Sequence, residues 1–101
     1  MRGKIPKTEL LGTFEGVARH ESYTRAAEEL ALTQSAVFRQ VSALEEFLHT
    51  PLFSHSKKRI FLNDAGKYYL GIEKETLNKL ERDTNTIMTW QPTVQVIELA
   101  V

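Results

Sequence analysis

Cysteine is absent from the 101-residue chain, which excludes a disulfide framework and any thiolate-bound metal, and fits an intracellular, cytoplasmic setting. Proline is scarce. Its three copies, Pro6, Pro51 and Pro92, leave the stretches between them free of the residue that most strongly breaks helices. The five glycines build no phosphate-cradling loop, and no Asn-Gly or Asp-Gly pair marks a tight hairpin turn. No apolar run approaches the roughly 18 residues that a membrane span needs. The opening Met1-Arg2-Gly3-Lys4-Ile5-Pro6-Lys7 carries charge but no apolar segment behind it, so no secretory signal is expected. Excess charge of either sign is missing as well, since 13 Lys and Arg face 13 Asp and Glu. Neutrality argues against a nucleic-acid partner only if charge is evenly spread, which a total cannot reveal.

What is present is ordinary globular composition, 42% hydrophobic and 26% charged. It allows one compact domain, or a small domain with one long appended element. Residues 1–67 carry 10 basic and 8 acidic side chains, and residues 68–101 carry 3 and 5. The first part is thus slightly basic, with Lys57-Lys58-Arg59 as its one dense cluster and Arg25 and Arg39 isolated.

Thr8 to His20 has helical periodicity, with Leu10, Phe14 and Val17 on one stripe, Leu11 and Ala18 widening it, and Thr8 as the expected cap. Ser22-Tyr23-Thr24 offers a cap for a short second helix containing Arg25, the small Ala26 and Ala27, and Leu30. After a break at Leu30–Leu32, Thr33 caps a third helix reaching about residue 49, with Val37, Val41, Leu44 and Leu48 as its buried stripe. Gln34, Ser35, Phe38, Arg39 and Ser42 lie off that stripe. Pro51 ends the helix. Pro51-Leu52-Phe53 and Ile60-Phe61-Leu62 then predict a two-stranded hairpin with a polar, basic tip between them. Asn63 caps a long fourth helix running to about residue 89. Its Leu70, Leu77, Leu80 and Ile87 fall on a and d heptad positions, interrupted by Glu73 and Thr84. Such a helix is too long to bury itself on so small a core, so a partner helix is expected. Val94 to Val101 alternates like a β-strand with nothing to pair with, as if a further domain began there.

A short helix, a tight break, a longer helix and a β-hairpin make a winged helix-turn-helix. The third helix has the width of a major groove, so its N-terminal, outward residues would meet base edges. Gln34 can pair with an adenine edge, Arg39 with a guanine or a phosphate, and Ser35 with either base or backbone. The helix N-terminus behind Thr33 points backbone N–H groups at phosphate. Lys57, Lys58 and Arg59 would meet the backbone or the minor groove.

The run from Phe14 through Ser22-Tyr23-Thr24-Arg25-Ala26-Ala27, Leu30, and Leu32-Thr33-Gln34-Ser35-Ala36-Val37 resembles the start of a LysR-type transcriptional regulator. So do Arg39-Gln40-Val41, Leu44-Glu45, Leu52-Phe53 and Leu62-Asn63-Asp64-Ala65-Gly66. The resemblance spans about residues 8–89, and Ala18-Arg19-His20 is similar to the branch holding the glycine-cleavage and β-lactamase regulators. It implies a mainly α fold, divided into a winged helix-turn-helix DNA-binding domain (1–63), a linker and dimerisation helix (64–90) and the start of an effector-binding domain (91–101). It also implies a bacterial, sequence-specific DNA binder that sits as a homodimer on a pseudo-palindromic site, with tetramers in a full-length form. A small-molecule effector would belong to the missing domain. The DNA-contacting candidates are Thr24, Arg25, Thr33, Gln34, Ser35, Phe38, Arg39, His55, Lys57, Lys58 and Arg59. The dimerisation candidates are Leu70, Leu77, Leu80 and Ile87.

Three positions depart from the family pattern. Phe38 stands where serine is usual, and is expected either to touch a thymine methyl or to fold against Tyr23. His55 stands where arginine is usual, losing permanent charge. Asn63 replaces threonine and keeps the cap. Of the remaining polar and aromatic residues, Glu45 is expected to pair with an arginine, and Phe47, Phe53, Phe61 and Tyr68 to be core. His20, His49 and His55 lack metal-ligand spacing. No nucleophile–base pair or paired carboxylates suggest an enzyme, and nothing asks for a cofactor. The competing possibility is a winged-helix protein-interaction module that dimerises without reading DNA, which the neutral charge and Phe38 favour.

Overall fold

The computed structural model describes residues 4–90. The chain forms α1 (Thr8–His20), α2 (Tyr23–Leu30), α3 (Gln34–Leu48), β1 (Phe53–Ser56), β2 (Arg59–Leu62) and α4 (Asp64–Met88). The expected terminal strand at residues 94–101 and the expected start of a further domain lie outside the described residues. Residues up to Gly71 make one compact unit and those from Ile72 a second.

Caps explain where the helices begin. Ser22 accepts the Arg25 N–H at 3.1 Å and Thr33 accepts the Ala36 N–H at 3.1 Å. Thr8 does not cap α1 but is its first helical residue. The cap position falls to extended Lys7, whose carbonyl accepts from the Leu10 and Leu11 N–H groups while its side chain makes no capping bond. The helices stop without glycine. Glu21, Ala31 and His49 follow α1, α2 and α3 in the left-handed conformation, with φ of 52°, 58° and 55°, at roughly 1 kcal/mol of strain each. Behind two of them the Leu32 N–H reaches the Ala27 carbonyl at 2.9 Å and the Thr50 N–H the Glu45 carbonyl at 3.0 Å, which closes the last turn.

The core lies where α1 and α3 cross. Phe14, Val17, Val37 and Leu44 have no exposed surface, and Leu52, Phe53 and Ile60 seal it from the hairpin side. The Phe14 ring meets Phe53 edge-on at 5.6 Å and Tyr69 at 6.1 Å, and the buried Thr13 hydroxyl donates to the Gln40 side-chain carbonyl across the helix pair. Ala26 and Ala27 let α2 lie close, as their size suggests. Leu48, one turn past Leu44, is only half-buried, because α3 ends there.

Two expectations about side-chain placement fail. Phe47 and Tyr68 are 39% and 72% exposed, since each lies off the buried stripe of its helix, whereas Phe53 is core and Phe61 half-buried. Among the described residues Glu45 pairs with no arginine. Its carboxylate accepts the Leu52 and Phe53 N–H groups at 2.7 and 3.2 Å, tying the end of α3 to the start of the hairpin. The turn at Pro51 brings these two donors to it, and a charged acceptor strengthens both bonds.

The hairpin is antiparallel with Phe53 opposite Leu62 and Ser56 opposite Arg59, so Lys57-Lys58 alone form the turn. Lys57 takes φ 49°, the conformation glycine usually supplies in such turns. The strands are thus longer, and the tip shorter, than the apolar runs suggest.

Asn63 joins the hairpin to α4. Its side chain accepts the Gly66 N–H at 2.8 Å and donates to the Pro51 carbonyl at 3.0 Å. Gly66 must be glycine, because a Cβ there would lie 2.2 Å from the Leu52 carbonyl oxygen. The first turns of α4 therefore belong to the compact unit, which extends to Gly71. In the second unit Leu77 is half-buried, while Ile72, Leu80, Ile87 and Met88 are exposed. Lys79 and Asp83 pair at 2.9 Å one turn apart. No helix among the described residues is long and apolar enough to cross a membrane.

Candidate nucleic-acid interface

Three elements meet at one open cleft. The start of α2 contributes Ser22, Tyr23 and Thr24, the start of α3 contributes Gln34, and the hairpin contributes His55, Lys57, Lys58 and Arg59. Thus residues far apart in sequence, Thr24, Gln34 and the wing cations, share one surface. Thr33, Ser35, Phe38 and Arg39 continue along exposed α3 beside it, and Arg25 is exposed on α2. The Thr33 and Ser35 hydroxyls lie 3.4 Å apart at the α3 N-terminus, where N–H groups are also directed outward.

Phe38 is 53% exposed, yet it is not loose: its ring packs edge-on against Tyr23 at 5.7 Å. Tyr23 in turn stacks on His55 with centroids 6.4 Å apart and planes at 29°. An aromatic column therefore links α3, α2 and β1. Burial, followed by the nearby Glu45 charge, pushes the Tyr23 phenol above its usual range, so it stays protonated. Neither Tyr23 nor Glu21 was among the expected site residues. Tyr23 was foreseen only as a possible support for Phe38, and Glu21 was visible only as one acid among several.

Charge is sorted across this surface. Arg25, Arg39, Lys57 and Lys58 are exposed and make no ion pair among the described residues, whereas Arg59 reaches Glu21 at 3.5 Å. Between α1 and α2 the pattern reverses. Arg19 donates to Glu15 at 2.9 Å and to Glu29 at 2.8 Å, and His20 lies 2.6 Å from the same Glu29. The Arg19 bond, then His20, holds the Glu29 carboxyl down at about 2, and the two carboxylates raise Arg19 in turn. Unpaired cations favour a polyanion with close phosphate spacing, and no His, Asp and Glu group capable of holding a metal occurs among the described residues.

Comparison with known proteins agrees with this architecture. Residues 8–67 match the model of the bacterial regulatory helix-turn-helix proteins of the lysR family. The glycine cleavage system transcriptional activator of Escherichia coli (strain K12) is 38% identical over 87 residues, which is 86% of this chain and 28% of the relative. Among solved structures, the DNA complex of the CbnR DNA-binding domain is similar with a TM-score of 0.77 and 28% identity, over 82% of this chain and 95% of that one. Oxidized OxyR of Corynebacterium glutamicum has a TM-score of 0.72 and 27% identity, over 81% of this chain and 26% of its own. Several spaced motifs, the order of helices and hairpin, and the matched span lead to one conclusion: the chain belongs to the lysR family of bacterial regulatory helix-turn-helix proteins.

Proposed function

We propose that this chain is the sequence-specific DNA-binding part of a cytoplasmic transcription regulator. The carrying observation is the cleft in which Gln34 of α3, Thr24 of α2 and the unpaired wing cations Lys57 and Lys58 face one open surface. In this reading α3 enters the major groove. Gln34, Ser35 and Arg39 meet base edges or adjacent phosphates, with Thr33, Thr24 and Arg25 on the backbone. The turn Lys57-Lys58 follows the backbone or the minor groove, His55 lines the same cleft, and Arg59 is shared between Glu21 and phosphate. The similarity to a domain described in complex with DNA supports a DNA partner.

The exposed residues Leu80 and Ile87, with Leu77 half-buried and Leu70 at the preceding a position, supply the stripe along which α4 pairs with a second copy. Two recognition helices then reach a pseudo-palindromic site together. The chain spans only 28% of the E. coli relative, so tetramer formation and a small-molecule effector belong to the rest of a longer protein. This is a binding domain rather than an enzyme.

The test is fluorescence anisotropy with a palindromic T-N11-A duplex against a scrambled duplex, each measured across a salt series. Preference for the palindrome with a steep salt slope is expected. Equal affinity for both duplexes overturns specific readout, and a stable dimer with no salt-dependent binding would favour a protein-interaction module instead.

A further inference from the structure

Within residues 34–39, the start of α3 that carries Gln34 and Arg39, Phe38 is the one large apolar side chain that is exposed. It stands four residues after Gln34, which puts the two side chains on one face of the helix, one turn apart. A phenyl ring has no hydrogen bond to offer. Guanine, cytosine and adenine present donors and acceptors in the major groove, and covering those with a ring strips their water without replacement. Thymine alone among the four bases presents a methyl group there.

Geometry separates this ring from a solvated aromatic. Tyr23 holds the edge of Phe38 at 5.7 Å, and His55 covers the Tyr23 ring from the wing side. The column fixes one flank of Phe38 while leaving half its surface open. Both expected roles of Phe38 therefore coincide, because folding against Tyr23 orients the ring instead of withdrawing it. We infer that Phe38 reads a thymine 5-methyl group in the major groove, with Tyr23 as its positioning residue. The inference rests on the DNA-binding reading above and adds the chemical identity of one base.

The test removes the methyl instead of the base pair. Sites selected from a random duplex pool by the wild-type chain are resynthesised with deoxyuridine replacing one thymine at a time, and dissociation constants are measured by anisotropy. One thymine per half-site should lose about fourfold in affinity as uracil, the worth of one buried methyl group. Phe38→Ala should bind thymine and uracil versions equally. Tyr23→Phe should keep the discrimination, and Tyr23→Leu should reduce it below about twofold while circular dichroism shows an intact cooperative transition. Uniform tolerance of uracil by the wild type, or an unchanged penalty in Phe38→Ala, overturns the methyl contact. Full discrimination in folded Tyr23→Leu overturns the positioning role. Failure of the wild type to enrich any sequence is a different result, which refutes the DNA-binding reading itself.

Discussion

Arg19 and Arg39 are the same residue type, both exposed and both helical, and the molecule treats them oppositely. Arg19 is held by two carboxylates, from Glu15 and Glu29, and binds the end of α1 to α2. Arg39 on α3 has no carboxylate partner among the described residues, and neither have Lys57 and Lys58 at the wing turn. A chain with zero net charge can therefore keep cations without carboxylate partners on one face, while Glu15 and Glu29 are engaged by Arg19 elsewhere. On the proposed reading, the cations on α3 and the wing that lack carboxylate partners are the ones that meet a polyanion.

The sharpest way to break this contrast is to delete the unpaired arginine. Arg39→Ala should weaken binding to a selected site by about 1–3 kcal/mol, or roughly 5- to 150-fold, and relax preference at one base position. Its thermal midpoint should stay near that of the wild type. Anisotropy and calorimetry measure the two quantities, and a large loss of stability with binding intact would reverse the assignment. Lys58→Ala should act more weakly and without regard to sequence. The slope of log affinity against log salt should become shallower by about 0.9, the signature of one lost phosphate contact, equally on selected and scrambled duplexes.

Arg59 stands between the two classes, since it belongs to the wing but lies 3.5 Å from Glu21. Glu21→Gln should release it for phosphate. Because an exposed pair is worth at most about 1 kcal/mol, affinity should rise by no more than about fivefold, with the gain fading at high salt. A fall in affinity would mean that Glu21 positions the wing rather than competes for its arginine.

These contrasts also show how far the chain could be understood from its residues. Periodicity located α1 at both ends, and local chemistry identified Thr33 and Asn63 as caps and placed another within Ser22-Tyr23-Thr24, because an apolar stripe and a cap are encoded within a few neighbouring positions. The conformation that stops α1, α2 and α3 was not legible. Glu21, Ala31 and His49 adopt left-handed backbone without the glycine that would announce it, so tertiary packing overrides local preference there. The two-residue turn of the hairpin was hidden for the same reason, since Lys57 fills a position suited to glycine. The candidate contacts on α3 and the wing were legible as local clusters. The partners of charged groups were not: Glu45 reaches backbone donors at Leu52 and Phe53 across the turn at Pro51, and Arg59 reaches Glu21 from another element. Pairing across the fold is a property of three-dimensional placement, and it decides which charges remain for a ligand.

The paired side of the comparison carries a pH signature of its own. Glu29 is held at about 2 by Arg19 and then His20, against 4.5 for an unperturbed carboxyl. A depressed carboxylate contributes stability above its unfolded value, and that contribution is lost as pH falls through the window from about 4.5 to about 2. Both carboxylate and guanidinium are exposed, so solvent screens the effect and the shift in thermal midpoint should be small. Wild type and Glu29→Gln, unfolded in parallel between pH 2 and 6 in low salt, should differ most above pH 4.5 and converge towards pH 2. Arg39→Ala should show no convergence of this kind, because Arg39 has no depressed carboxylate to lose. Identical pH profiles for wild type and Glu29→Gln would place Arg19 with the unpaired cations and remove the distinction between the two regions.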